Sequence, residues 1–138
     1  MSSTLKKYLI AASVACVAGL ATGIAQAEGD KVGDTQMCVP LMQIDSTPVI
    51  NDSTILIKMK QKGAFKRIDL MAPCGGLNMG NGFVHTTSTN DLCTSDPLRV
   101  NEPMGTGTGA TCMIKQIVTI SADEAKALQT KKHDKDKK

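Results

Sequence analysis

Four widely spaced cysteines constrain the fold of this chain more than any other feature of its sequence. Cys38, Cys74, Cys93 and Cys112 are separated by 36, 19 and 19 residues. A structural zinc site normally contains a close C-x(2–4)-C pair, and a thioredoxin-like redox site needs C-x-x-C, so these spacings favour neither. An even number of cysteines in a small exported chain is typical of disulfides. We therefore expect two structural disulfides if the chain leaves the cytoplasm.

The N-terminal residues have the pattern of a bacterial-type secretory signal peptide. Lys6 and Lys7 precede an apolar run over residues 8–24, and the small residues of Ala25-Gln26-Ala27 follow it. This order of charge, apolar run and small-x-small site predicts cleavage after Ala27. We therefore expect residues 1–27 to be a signal peptide and the mature protein to be periplasmic or secreted.

The same apolar run has two alternative interpretations, an uncleaved membrane anchor and a lipid anchor. Polar residues and glycines interrupt the run, which is short for a hydrocarbon core of roughly 30 Å. Ser13-Val14-Ala15-Cys16 loosely resembles the box before a lipidated cysteine, but cleavage there would leave an apolar stretch on the mature N-terminus. Lipid attachment at Cys16 remains the alternative, and we expect no transmembrane segment after cleavage.

The mature chain has the size and charge of one small, nearly neutral domain. Removal of 27 residues from 138 leaves 111, which is enough for a single modest core. Residues 28–130 hold nine Lys or Arg and eleven Asp or Glu, so the excess of basic residues lies in the signal and the tail. Trp is absent, and only Phe65 and Phe83 remain as aromatic residues. Nucleic-acid binding, which needs basic surfaces and stacking platforms, is therefore not expected.

Short apolar and β-branched runs between Gly, Pro, Asn and Asp residues predict a single all-β domain over residues 37–130. About six strands are expected, at Cys38–Asp45, Ser53–Lys60, Ala64–Met71, Gly82–Ser88, Pro97–Asn101 and Cys112–Ser121. A curled sheet, a small open barrel and a compact sandwich all fit this pattern. Residues 28–36 are expected to form a flexible N-terminus.

The second of these strands shows the clearest alternation. Ile55, Ile57 and Met59 face one way, while Lys58 and Lys60 face the other, as in a half-buried strand. Turn residues at 61–63 predict a hairpin to the next strand.

A short helix is expected after the last strand. Ser121 and Glu124 have the S-x-x-E spacing of a capping box, and Ala125, Ala127 and Leu128 continue the helical pattern. The Lys-rich tail 131–138 contains no apolar residue to bury, so we expect it to be disordered.

Strand order favours one of the three possible disulfide pairings. Cys38 begins the first strand and Cys112 the last, so a bond between them would tie the ends of a curled sheet together. Cys74 and Cys93 follow the third and fourth strands, and their bond would clamp the connection between them. Cys74–Cys93 with Cys38–Cys112 is therefore the favoured pairing, while the other two pairings stay open.

The sequence contains no recognisable catalytic constellation. His85 is the one histidine before the tail, and on its strand it shares a side with Phe83 and Thr87. A general base needs a matched partner, and none can be identified from sequence, so His85 is a weak candidate. We assign no catalytic residue, no metal ligand and no cofactor.

Seven methionines remain after cleavage, and their thioethers could bind copper(I) in an exported protein. They are scattered rather than grouped in M-x-x-M runs, and flexible Met fills core gaps when aromatic residues are few. We therefore expect them to pack in the core: Met37, Met42, Met59, Met71, Met79, Met104 and Met113.

The chain resembles a family of small exported proteobacterial proteins of unknown function with four cysteines. The resemblance rests on the order C-V (38–39), I-D-S-T (44–47), C-G-G-L (74–77), L-C (92–93) and the cysteine at 112. It covers nearly all of residues 37–120. It implies an all-β envelope domain with paired cysteines, and it supplies no activity, ligand or catalytic residue.

These features favour a non-enzymatic envelope or secreted protein that acts as a binding or accessory module on a disulfide-braced β scaffold, with an unknown partner. One alternative is a small exported hydrolase that uses His85 with Asp69, Asp91 or Asp96. Another is a metal-handling periplasmic protein.

Overall fold

The computed structural model of the chain describes residues 30–79, 82–86, 89–101 and 109–137, and the signal segment 1–27 lies outside these ranges. The described part is mostly β, with ten strands, one α-helix and a 3-10 helix (Leu41–Gln43) that interrupts the strand expected at Cys38–Asp45. The elements are β1 (Thr35–Gln36), β2 (Cys38–Pro40), β3 (Ile44–Ser46), β4 (Val49–Asn51), β5 (Thr54–Met59), β6 (Phe65–Leu70), β7 (Phe83–His85), β8 (Asp91–Cys93), β9 (Pro97–Val100), β10 (Thr111–Ile120) and α1 (Ala122–Asp136).

Eight of these strands form one antiparallel sheet that curls into a half-barrel. Its main path is β3-β5-β6-β10-β9-β7, and β4 and β1 pair in addition with β5 and β10. β10 is long enough to pair with β6 along one edge and with both β9 and β1 along the other. The expected all-β fold is confirmed, and of the three arrangements left open the sheet takes the curled one.

The main core lies on the inner face of the curled sheet. Ile55, Ile68 and Ile117 stand opposite one another on β5, β6 and β10, and all three are fully buried. A separate ribbon of β2 and β8 adds Val39 and Leu92, which are paired across the ribbon and are also buried. The ribbon therefore shares its core with the sheet.

The outer face of the sheet is partly covered by α1. Leu56, Val118 and Ile120 point to this side and form a second cluster with Ala125 and Leu128 of the helix. Burial of Leu56 shows that β5 is buried on both faces. The expectation of a half-buried strand was wrong here because the helix covers the face that carries Leu56.

A β-bulge interrupts β10. Ile114 is opposite Leu70 and Gln116 is opposite Asp69, so Lys115 is an extra residue in the ladder. Because a bulge inserts one residue, it changes which residues of the strand face each side. Ile114 and Ile117 both reach the main core, although they are three residues apart.

Both ends of the domain are more regular than the sequence indicated. The helix continues to Asp136, through most of the tail that we expected to be disordered. Lysines near the end of a helix interact favourably with its dipole, which supports this extension. At the other end, β1 pairs with β10 and the Gly33 N–H donates to the Thr119 carbonyl at 2.8 Å. Residues 30–36 are therefore attached to the sheet rather than a flexible arm, and Thr35 and Gln36 are the two that form a strand.

The disulfides join Cys38 to Cys93 and Cys74 to Cys112, so the favoured pairing was wrong. Cys38 and Cys93 lie directly opposite each other in the β2–β8 ribbon, and strand β8 was not expected. The segment after β6 runs beside the start of β10, which brings Cys74 to Cys112. The observed pairing is one of the two that the sequence left open.

Removing the Cys74–Cys112 bond should cost more stability than removing Cys38–Cys93. Loops of 38 and 55 residues differ by only about 0.3 kcal/mol in the chain-entropy model. Cys74 is buried and Cys38 is exposed, and truncating a buried sulfur to Ala costs about 1 kcal/mol more. C74A/C112A should therefore unfold at a lower urea concentration than C38A/C93A. The reverse order would contradict the larger stability contribution assigned to the buried sulfur of Cys74.

Candidate binding surface

The outer face of the sheet stays exposed beyond the part that α1 covers. We call this exposed part the open face, and its residues are Met71, Val84, Pro97, Arg99, Thr111 and Met113. Strand register places them in neighbouring rows. Arg99 of β9 lies between Thr111 and Val84, and Pro97 lies opposite Met113.

Three apolar side chains dominate the open face. Met71, Val84 and Met113 are 58%, 51% and 38% exposed. The N–H of Met71 donates to the Met113 carbonyl at 3.0 Å, so β6 and β10 bring these two residues side by side. Single exposed apolar residues are normal on a protein surface, whereas large contiguous apolar patches are a feature of interaction sites, so the open face is a candidate.

A polar belt separates the open face from the helix-covered cluster. Arg67 donates to both carboxylate oxygens of Asp69 at 2.9 and 3.2 Å, and it also contacts Glu124 of α1. Gln116 donates to Asp69 at 2.7 Å. This network connects the first turn of α1 to β6. It lies at the boundary between the part of the sheet that α1 covers and the exposed part.

Among the residues that the structure describes, no catalytic site is gathered around His85. His85 is half-buried on the inner side of β7, opposite Leu98. Within the described residues, no hydrogen bond or ion pair joins it to Asp69, Asp91 or Asp96. Thr87, which was expected on the same side, lies outside the described residues.

Two of the three candidate carboxylates have structural roles instead. Asp69 belongs to the polar belt, and Asp96 accepts the N–H of Cys93 at 2.7 Å in the turn after β8. Asp91 lies on β8 opposite Pro40. No group of three or more His, Cys, Asp or Glu side chains able to hold a metal occurs in the described ranges.

The expectation that the methionines fill the core was wrong for most of them. Met59 is half-buried and packs against the main core, and Met104 lies outside the described residues. The others are exposed: Met37, Met42, Met71, Met79 and Met113. The core is instead filled by Ile, Leu and Val, which leaves methionine side chains free for surface contacts.

A cleft of about 460 Å³ lies between the β5–β6 turn and the start of α1. Lys66 is buried there and donates to Asp30 at 2.6 Å and to Thr119 at 3.2 Å. Gln36 also donates to Asp30, at 2.8 Å. Lys66 is therefore engaged in holding the N-terminal segment on the sheet, and it is not a free reactive amine.

Sequence reasoning missed both the open face and the Lys66 ion pair. Met113 alternates with Cys112 and Ile114, which is a signal that it faces the other side from the core. That signal alone could not show how far the helix extends over the sheet. Asp30 and Lys66 are 36 residues apart and carry no local pattern that links them.

No protein-family model, curated protein or solved structure matches the chain. Within the described ranges, no helix combines the length and the apolar character required to cross a bilayer.

The Lys66 ion pair makes the N-terminal attachment sensitive to acid. The hydrogen bond from Lys66 holds the pKa of Asp30 below its ordinary value of 3.8; partial burial opposes this, while the Lys66 charge and Gln36 add to it. Because the pKa is lower in the folded state, ionised Asp30 stabilises the fold fully above about pH 4. That contribution is lost as the pH falls through the folded-state pKa.

Asp30→Asn should lower the free energy of unfolding by about 1–2 kcal/mol at pH 7, because Lys66 stays buried without its charge partner. The loss is below that of a fully buried pair because the Asp30 side chain is 52% exposed. Lys66→Met should change stability by less than about 1 kcal/mol, since an apolar side chain suits this site. Urea unfolding as a function of pH measures both variants, and the D30N deficit should shrink below about pH 4. Wild-type stability of D30N at pH 7 would contradict the ion pair.

Proposed function

We propose that the protein is exported and acts as a non-enzymatic binding or accessory module whose contact surface is the open face. The signal pattern at residues 1–27 and the two disulfides support an extracytoplasmic location. The observation that carries the proposal is the exposed, side-by-side pair Met71 and Met113, with exposed Val84 on the same face two strands away from β10.

The chemistry of the open face favours a polypeptide partner. Met side chains are flexible and polarizable, so they adapt to irregular apolar surfaces, and they are used at such contact sites. Arg99 adds a positive charge between Val84 and Thr111, and none of the six residues is acidic. The expected partner therefore presents apolar side chains together with a carboxylate.

The scaffold suits this role because it holds the contact residues in place. β10 and β9 pair directly across the open face, and Cys112, beside Met113, is bonded to Cys74. A preorganised surface loses less conformational freedom on binding, so more of its contact energy appears as affinity.

Site-specific photo-crosslinking in the native envelope tests the proposal. A photoreactive residue at position 113 should capture a discrete partner, and Val84→Asp should abolish the product because it places a charge in the apolar contact. Position 42 is the matched control, since Met42 is 74% exposed but lies near Lys60 and Gln61 at the β5–β6 turn. Equal products from both positions, or a product that survives V84D, would refute a specific open face.

A further inference from the structure

We infer that the outer edge of β7 accepts an extended segment of the partner protein as an additional strand of the sheet. This inference rests on the proposed function, since β7 carries Val84 of the open face. β7 is the last strand on the main path of the sheet, so one of its edges faces away from β9. An edge of this kind offers unpaired backbone groups to another chain.

Hydrogen bonds fix which backbone groups of β7 face outward. The Asn101 N–H donates to the Gly82 carbonyl at 3.0 Å, so residues 82 and 101 bond across the two strands. Residues that bond across an antiparallel pair alternate with residues that do not. Val84, which is opposite Arg99, is therefore the next residue to bond with β9. Phe83 and His85 present their N–H and C=O groups to the outer edge.

The bonding of β9 to its other neighbour supports the same alternation. The Val100 N–H donates to the Ala110 carbonyl at 3.0 Å, so Val100 bonds toward β10 and not toward β7. Val100 is the residue opposite Phe83. Within the described ranges, the outward backbone groups of Phe83 and His85 have no hydrogen-bond partner.

The two edge strands of the sheet differ in how they are protected against pairing with another chain. At the opposite end, β3 carries the exposed charge of Asp45, and Pro48 follows two residues after its end. Charged residues and proline are common guards against strand addition. β7 contains neither a carboxylate, a lysine nor a proline, so its outward edge lacks these guards.

The short length of β7 shows what else the partner must supply. Three residues offer few main-chain hydrogen bonds, so side-chain contacts have to provide much of the affinity. An added strand would place alternate side chains beside Val84 on the outer face and beside Phe83 and His85 on the inner face. The partner segment is therefore an alternating apolar strand with an outward carboxylate within reach of Arg99.

The probe for this test is a peptide that binds the mature, oxidised protein. It is selected from a random library of 12-residue peptides. The recovered peptides should share an alternating apolar pattern with one acidic residue. His85→Pro removes the outward N–H and leaves the bonds between β7 and β9 intact, because an edge strand tolerates proline at an outward position. It should weaken peptide binding about tenfold, the effect of losing one hydrogen bond and leaving its acceptor unpaired.

His85→Ala is the matched control, because it removes the imidazole and keeps the N–H, and it should weaken peptide binding far less than H85P. Amide hydrogen exchange on the wild-type protein gives an independent readout that does not depend on any variant. The amides of Phe83 and His85 should exchange rapidly in the free protein and become protected by the peptide, while the Val84 amide is protected in both states. Unchanged exchange at Phe83 and His85 in the complex would overturn the inference.

The two proposals fail in different ways. If V84D abolishes the crosslink from position 113 while H85P retains full peptide binding, the open face is the contact surface and strand addition is wrong. If the crosslink from position 113 survives V84D, the proposed function is wrong, and the strand addition that rests on it is wrong too.

Discussion

The pairing of β10 with neighbours on both of its edges is the interaction on which the rest of the structure depends. β6 pairs along one edge, and β9 and β1 share the other. The strand starts beside the Cys74–Cys112 bond and ends at Ile120. The next residue is Ser121, whose hydroxyl accepts the Glu124 N–H at 3.1 Å where the helix begins. One strand thus positions a disulfide, both layers of the core and the helix.

The outer face owes its division into covered and open parts to the helix. Ala125 and Leu128 cover the apolar cluster around Leu56, and the polar belt of Arg67 and Asp69 follows. Beyond the belt the sheet is still apolar, but nothing in the described ranges covers it. The same sheet face is therefore buried at one end and exposed at the other.

Sequence patterns predicted the parts of the fold that arise from local chemistry. Short apolar and β-branched runs between turn residues located β5, β6, β9 and β10, and the capping box at Ser121 located the helix start. Strands of two or three residues, such as β1, β4 and β8, are too short to show a period, and the missing β8 led to the wrong disulfide pairing. The exposure of Met113 depends on how far α1 extends, and the contact of Asp30 with Lys66 joins segments far apart in the chain. No local signal reports such relations.

The bulge at Lys115 determines which residues in the first half of β10 face the core. In a regular ten-residue strand with Ile117 facing inward, Met113 would also face inward, and Cys112 and Ile114 would face outward. The extra residue shifts the first half of β10 by one position relative to the second. Cys112 then reaches Cys74 in the interior, and the Met113 thioether is turned toward solvent. A single inserted residue thus gives Cys112 its inward and Met113 its outward orientation at the same time.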